Sequence, residues 1–376
     1  PWPGHLINVL FFAITAFILL TVMRSLLRRH HPLIPVLVTL LFIFHPIHTE
    51  VVANIKSRDE ILSLLFGLLT LQLLLRYADE GKLWQMLTAV FVYFLCMLSK
   101  ESGVTWMGVF PLALWCTRDT DLKKTIVLSA PFLVVVIAFL LIRQQVLGTF
   151  GSNYELMLIN NSLVGATDTG SRIASAIYIL GKYIWLLFVP LTLVFDYSYN
   201  TVPLVGFSDF RALISLVMVI ALIGYALLKL KERKPVALAI LFFFGTISLV
   251  SNIFFLIEAT MAERFLYTPS LGFCLAILLV LPADDITGIG GLMEAVAKVF
   301  GVYGAAAPAM LTVTGVVFAM ILMTQGSAWM IISDRMQAMA AADGAFFGGF
   351  FGRFHPQLGT PVRVNLLSSA VATVFC

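Results

Sequence analysis

Residues 45–60 read HPIHTEVVANIKSRDE, from His45 to Glu60. The stretch sets two histidines, Lys56, Arg58 and three acids (Glu50, Asp59, Glu60) between two strongly apolar runs. Outward from it the chain stays apolar: 60% of its 376 residues are hydrophobic, 12% are charged, and the mean hydropathy is +0.98. A soluble domain carries about 25% charged residues. Here charges are too few to cover a water-facing surface, and runs long enough to cross a bilayer recur. The expected fold class is all-α, a polytopic membrane protein of about ten to eleven transmembrane or re-entrant helices. In such a chain a dense polar cluster sits at a membrane surface or lines a wet cavity.

The positive-inside rule assigns the two ends of each span. Leu6–Leu27 ends in Arg24, Arg28, Arg29, His30 and His31, which marks that end as cytoplasmic. Leu33–Phe44 returns outward and stops at His45, because Pro46 disfavours helical backbone in the residue before it. The His45–Glu60 cluster is therefore expected outside. Ile61–Leu75, Leu83–Leu98 and Val104–Cys116 alternate in step with the basic groups around Arg76 and Arg118. Between Lys124 and the next cytoplasmic marker, Lys229–Lys234, the number of crossings must be even, yet three apolar segments lie there: Ile126–Ile142, Ile173–Phe195 and Leu213–Leu228. The middle one carries Gly181, Lys182 and Pro190, so it is expected to be broken or re-entrant, which membranes tolerate only where backbone is shielded by protein or lines a cavity. Asp196, among Phe195, Tyr197 and Tyr199, then falls outside, as does the loop Arg143–Ser171 with its Asn160-Asn161-Ser162 sequon. Spans near Val236–Ile257 and Leu266–Leu281 follow.

Past residue 281 the pattern changes. Pro282–Gly301 is acidic and glycine-rich and reads as an outside loop; Tyr303–Ile332 would then cross inward to a loop bearing Arg335, Arg353, His355 and Arg363. The preceding span, however, delivers the chain to the inside. This conflict of one crossing, together with a shift from Leu/Phe/Ile-rich to Ala/Gly/Met-rich composition, predicts a junction near residue 282 between a first domain, 1–281, and a second, 282–376. The cysteines (Cys96, Cys116, Cys274, Cys376) lie in apolar segments without C-x-x-C spacing and read as free, buried thiols.

Four stretches in order carry a resemblance over residues 1–281: HPIHTEVVANIKSRDEILSLLF, LSKESGVTWMGVFPLAL, PLTLVFDYSYNTVPLV and MAERFLYTPSLGFCL. Together they resemble the membrane domain of the transmembrane and tetratricopeptide-repeat-containing O-mannosyltransferases and their bacterial relatives, which have the GT-C glycosyltransferase fold. The resemblance implies transfer of a sugar, mannose in that family, from a polyprenyl-phosphate donor to an acceptor hydroxyl of a protein or glycan at the non-cytoplasmic face. It implies no cofactor beyond that lipid-linked donor, membrane lipids as surroundings, and no nucleic-acid partner. The membrane would be the plasma membrane in a bacterium and the endoplasmic reticulum in a eukaryote. In that family a further helix and an outside acidic loop, bearing the aspartate taken as catalytic base, precede the region matching residue 1, and tetratricopeptide repeats follow the last span; the resemblance thus implies an incomplete domain. The stretch MTQGSAWMIISDRMQAMAAADGAFFGGFFGRFHPQLGTPVRVN resembles a loop of amino acid–polyamine–organocation type permeases, so 282–376 is expected to be a permease-like fragment. Two other readings of the whole chain stay open: an amino-acid-transporter-like membrane protein, and a non-functional fusion of two gene fragments.

Glycosyl transfer of this kind needs a carboxylate to accept the hydroxyl proton and cations for the charge developing on phosphate. Asp59 and Glu50 are the carboxylates expected to act. Arg58, Lys100 and Arg264 are the candidate phosphate partners, with arginine better suited to bidentate contact. Asp59 and Glu60 also read as acids favoured in the first turn of a helix, and Arg58 as a snorkelling interfacial cation. Lys100-Glu101 and Glu263-Arg264 are adjacent in sequence and cannot face each other on a helix, so each needs a partner elsewhere: Lys100 with Glu263, or Glu101 with Arg264. Asp196 among its aromatics suits sugar contact or interfacial anchoring, and Lys182 is costly enough at membrane depth to mark a cavity. His45 and His48, spaced H-x-x-H around a proline, do not align as helical metal ligands; interfacial capping or substrate contact is expected, and no metal.

Overall fold

The protein is described from a computed structural model, covering residues 2–148, 156–280 except 192, 195 and 199, and the short stretches 338–339, 342, 350–355 and 361–367. The chain divides into two compact units, Pro1–Ala283 and Asp284–Cys376. In the second unit the acidic loop, the Tyr303–Ile332 run and most of the permease-like stretch lie outside the described residues.

Among the described residues all regular elements are helical. The first unit runs α1 (Trp2–Leu26), α2 (Leu33–Phe44), α3 (Thr49–Ala53), α4 (Arg58–Glu80), α5 (Leu83–Ser99), α6 (Trp106–Thr117), α7 (Leu122–Leu147), α8 (Thr169–Phe188), α9 (Phe210–Lys231), α10 (Pro235–Ile247) and α11 (Pro269–Val280). By length and composition five described helices can cross a membrane, or six if α2 and the bent segment Pro46–Ala53 form one span. α2 ends at Phe44 with His45 in extended backbone (φ −70°, ψ 122°), as Pro46 requires. α4 opens with Asp59 and Glu60 in its first turn, where acids complement the helix dipole, and closes on Gly81 at φ +71°. Exposed apolar side chains cover the outward faces of α5 (Leu87, Phe91), α7 (Val134, Leu141) and α9 (Val217, Ile220), as expected of helices solvated by lipid.

The bundle has two polar ends. At one, the guanidinium of Arg118 is 4% exposed and clasps Asp79 through Nε–Oδ1 (2.8 Å) and Nη2–Oδ2 (2.9 Å), while also donating to the carbonyl and hydroxyl of Ser25. Arg28 joins Asp79, Arg29 joins Asp119, and Trp115 Nε1 donates to Leu230 O. This basic end ties together the C-termini of α1, α4, α6 and α9. The His45–Glu60 cluster lies at the other end.

α8 departs from the sequence expectation. It is one continuous helix rather than a broken one, and Gly181 serves packing: a Cβ there would lie 2.0 Å from Ser215 Oγ of α9. Pro190 falls past the last turn. Asp168 caps the start by accepting from Ser171 N. At that start Arg172 donates to Asn252 O, beyond α10; at the far end Leu187 O meets His45. Both ends of this helix, about 30 Å long, therefore meet the cluster end, and α8 does not link the two ends of the bundle. Cys96, Cys116 and Cys274 are free and buried; Cys376 lies outside the described residues.

Candidate functional site: an ionic cluster over a hydroxyl-lined pocket

The cluster is folded by local turns. His45 accepts from Ile47 N at Nδ1 (3.2 Å), so its Nε2–H donates to Leu187 O (2.9 Å), and both ring nitrogens are engaged. Ser270 Oγ donates to Tyr267 O, so His48 Nε2–H donates to Ser270 Oγ (2.9 Å), leaving the buried Nδ1 without a partner. Among the described residues no three His, Cys, Asp or Glu side chains converge in an arrangement able to hold a metal ion.

Glu50, its side chain 5% exposed, is fully engaged by one residue: Arg264 Nη1 donates to Oε1 and Arg264 N to Oε2, both at 2.8 Å. Arg264 is itself partly open and lies over the Phe265 ring at 5.2 Å. Lys100, just past α5, reaches two carboxylates at the start of α4: Asp59 Oδ2 at 2.9 Å and Glu60 Oε1 at 2.6 Å. Burial pushes the Lys100 ammonium down, but the two carboxylates outweigh it and hold the group above the ordinary lysine range. Glu60 Oε1 is buried, and the Lys100 ammonium is its partner. Asp59 is the more open of the two acids, at 41% exposed against 6%.

The pairings expected from sequence do not form. Lys100 takes Asp59 and Glu60 rather than Glu263. Glu101 pairs with Arg143 (2.9 Å) at the exposed edge rather than with Arg264. Glu263 is buried, accepting from Tyr197 OH (3.0 Å) and from Val194 N. Burial raises Glu263 above the ordinary carboxyl range. Asp196 is exposed and holds only Ser198 Oγ (2.6 and 2.7 Å), apart from the cluster; its neighbours Phe195 and Tyr199 lie outside the described residues. Arg58 turns away: two residues at about 100° each put it about 200° around α4 from Glu60. It donates instead to Asn8 Oδ1 (2.9 Å) and Gly4 O (3.0 Å) on α1.

Beside Lys100 lies a small cavity of about 20 Å³, lined by Glu60, Ser63, Lys100, Ser102, Thr105, Thr246 and Thr268, with Trp106 and Phe265 as aromatic walls. Sequence reasoning missed Glu60 and these hydroxyls, which come from four separate segments. Trp106 also lines a small apolar cavity of about 20 Å³ deeper in the bundle, between Leu68, Phe242 and Leu275. The arrangement can therefore present an open carboxylate, two cations and a small polar chamber at one end of an apolar bundle.

A family model described as "Protein O-mannosyl-transferase TMTC, DUF1736" matches residues 161–223, which hold α8 and the first part of α9. Protein O-mannosyl-transferase TMTC3 of Mus musculus is 29% identical over 314 residues, covering 74% of this chain and 33% of the relative. Protein O-mannosyl-transferase F38B6.6 of Caenorhabditis elegans is 30% identical over 241 residues (63% and 33%), and TMTC1 of Homo sapiens 28% over 325 residues (73% and 35%). The chain thus spans about a third of the length of these relatives. No solved structure matches it. Over most of its length the chain is similar to the membrane domain of the TMTC protein O-mannosyl-transferases.

Proposed function

We propose that the first unit is the membrane part of an integral-membrane O-mannosyltransferase, taking mannose from a polyprenyl-phosphate donor and giving it to a protein hydroxyl at the non-cytoplasmic face. The observation that carries this is the Asp59–Lys100–Glu60 triad over a hydroxyl-lined pocket, at the end of the bundle opposite the basic groups. In the reaction the acceptor oxygen bonds to the anomeric carbon, the carbon–oxygen bond to phosphate breaks, and the polyprenyl phosphate leaves with the electron pair. Asp59, open on one side, suits the proton from the acceptor hydroxyl. Glu50 suits a different role, since both its oxygens already hold Arg264 in place. Arg264 keeps further N–H groups for the phosphate, and planar guanidinium matches that group well. Lys100 adds positive charge nearby, though two carboxylates neutralise it. The polyprenyl chain can lie in the bilayer against the apolar outer helices.

The test is binding and turnover of polyprenyl-phosphate mannose by the chain in nanodiscs. Arg264→Lys, which keeps the charge and loses the planar fork, is expected to weaken donor binding about tenfold, about 1.4 kcal/mol. Asp59→Asn is expected to leave binding intact and lower mannosyl release or transfer by about 10²–10⁴-fold. A wild-type chain that does not bind the donor would overturn the assignment.

A further inference from the structure

We infer that two hydrogen-bonded loops at the start of α8, residues 156–160 and 252–257, form an apolar ledge that dips into the headgroup–acyl boundary of the leaflet at the cluster end. The ledge takes no part in the transfer chemistry and requires only that the bundle sits in a bilayer. Residues 253–257 read Ile-Phe-Phe-Leu-Ile and residues 156–159 read Leu-Met-Leu-Ile, without a charge in either run. Phe254 is 73% exposed, and Phe255, Met157, Leu158 and Ile159 are exposed as well. Neighbouring exposed apolar side chains of this kind mark a contact with lipid or with protein.

The way the loop backbone is satisfied points to lipid. Asn252 takes the left-handed region (φ 59°), which asparagine tolerates and which turns the chain. Its buried side chain then bonds the loop it opens: Oδ1 accepts from Ile257 N (3.0 Å), and Nδ2 donates to Ala259 O (3.0 Å) and Thr260 O (3.2 Å). Asn161 Nδ2 donates to Ile257 O (2.8 Å) and to Asn252 Oδ1 (3.0 Å), and Arg172 Nη1 donates to Asn252 O (3.0 Å). Thr260 N donates to Asn160 O (3.1 Å), which ties the two loops together, and Met157 O accepts from Asn160 N and Asn161 N (3.0 and 3.1 Å). A loop bathed in water can leave such groups to solvent. A loop pressed against lipid cannot, because an unmet backbone group there is costly. Position favours lipid over a protein partner. Arg172 lies on α8, whose Tyr178 ring packs against Arg211 (5.0 Å) in the first turn of α9, and α9 already presents exposed Phe210, Ile214 and Val217. The ledge therefore stands at the end of a helix that faces lipid, and its chain runs on directly to Glu263 and Arg264 of the cluster.

The deciding measurement places an environment-sensitive fluorophore on single cysteines of the full chain in nanodiscs: Phe254→Cys, Met157→Cys on the adjoining loop, and Glu258→Cys at the exposed, charged base of the first. Cys96, Cys116 and Cys274 are buried, and Cys376→Ser removes the remaining thiol. Aqueous iodide and lipids carrying a nitroxide high on the acyl chain serve as the two quenchers. A ledge seated about 5–10 Å into the interface should leave the Phe254 and Met157 probes several-fold less quenched by iodide than the Glu258 probe, and several-fold more quenched by the nitroxide lipid. Both side chains are exposed, so neither substitution should disturb the fold. Iodide reaching Phe254 and Met157 as readily as Glu258 would overturn the inference. So would shielding of both from iodide and nitroxide alike, because protein, a second copy of this chain or another partner, would then cover the ledge. Either overturning result leaves the mannosyltransferase assignment standing.

Discussion

Gly67 of α4 lies directly against the Trp106 indole, and replacing it with alanine tests the floor of the pocket. A Cβ at Gly67 would stand 2.2, 2.5 and 2.6 Å from indole Cε2, Cζ2 and Nε1. Carbon atoms in contact settle at about 3.5–4.0 Å, so the ring must retreat by roughly 1 Å or more. It has little freedom: Trp106 is fully buried and packs edge-on against Phe242 at 5.5 Å. Overpacking of this kind costs about 1–3 kcal/mol, while alanine gains about 0.8–1 kcal/mol over glycine in a helix. The net loss expected for Gly67→Ala is therefore about 0–2 kcal/mol, too small to interpret alone. A double-mutant cycle with Trp106→Phe separates the two effects. The smaller ring makes room for the new methyl, so the pair should be more stable than the sum of single losses predicts by about 1 kcal/mol or more. Unfolding in mixed micelles gives the stabilities. Additivity within about 0.5 kcal/mol would refute the contact.

At the basic end, Asp79→Asn removes the charge partner of the buried Arg118 and leaves it the neutral acceptors of Ser25 and Thr117. Losing one partner of a buried pair costs about 3–5 kcal/mol; Asp79 is 36% exposed, and exposed pairs are screened, so about 1–3 kcal/mol is expected from unfolding curves. Tyr267→Phe should be neutral or stabilising, by up to about 1–3 kcal/mol, because the fully buried hydroxyl has no partner; a clear loss of stability would reveal a bond at that oxygen. Glu263 supplies a pH test. Its carboxyl is held above the ordinary range by burial, so the folded chain binds that proton more tightly than the unfolded chain does. The resulting stability is full below the ordinary carboxyl range and is lost as pH rises through the raised folded-state value. Melting curves from about pH 4 to 7 should thus show wild type losing ground to Glu263→Gln as pH rises, and parallel curves would contradict it.

Much of the bundle was legible because the controlling signals are local. Pro46 stops α2 one residue before His45, and arginines collected at alternate helix ends announce which termini meet at the basic end. What failed to read depended on contacts across the chain. Gly181, Lys182 and Pro190 look like helix breakers in a line of sequence, yet Gly181 is small because Ser215 of α9 approaches it, and Pro190 stands outside the helix. Glu60 looks like any acid in a first helical turn, and only Lys100, forty residues on, and the hydroxyls of the turn before α6 and of α10 turn that position into a pocket wall. Arg58 and Asp59 are neighbours in sequence, but the helical step sends one to α1 and the other to Lys100. Ionic partners are likewise a tertiary property, which is why Glu101 finds Arg143 and Glu263 finds Tyr197.

The segment 161–223 shared with the TMTC family holds none of the ions of the triad, and its contacts suggest what it contributes. Tyr183 OH of α8 accepts from Ala262 N (3.0 Å), while Tyr197 OH and Val194 N donate to Glu263. The two residues immediately before Arg264 are thus pinned by α8 and the strand of chain after it, and Glu50 pins Arg264 itself. Removing one buried hydrogen bond strands its partner at about 1–3 kcal/mol, of which only a part reaches Arg264. Tyr183→Phe and Tyr197→Phe are therefore expected to weaken polyprenyl phosphate binding about three- to tenfold, a loss of about 0.7–1.4 kcal/mol. The double variant should approach the Arg264→Lys loss without exceeding it, since all three changes act on one guanidinium. Tyrosine variants that lower stability yet leave phosphate binding untouched would make α8 a packing element with no hand in the site.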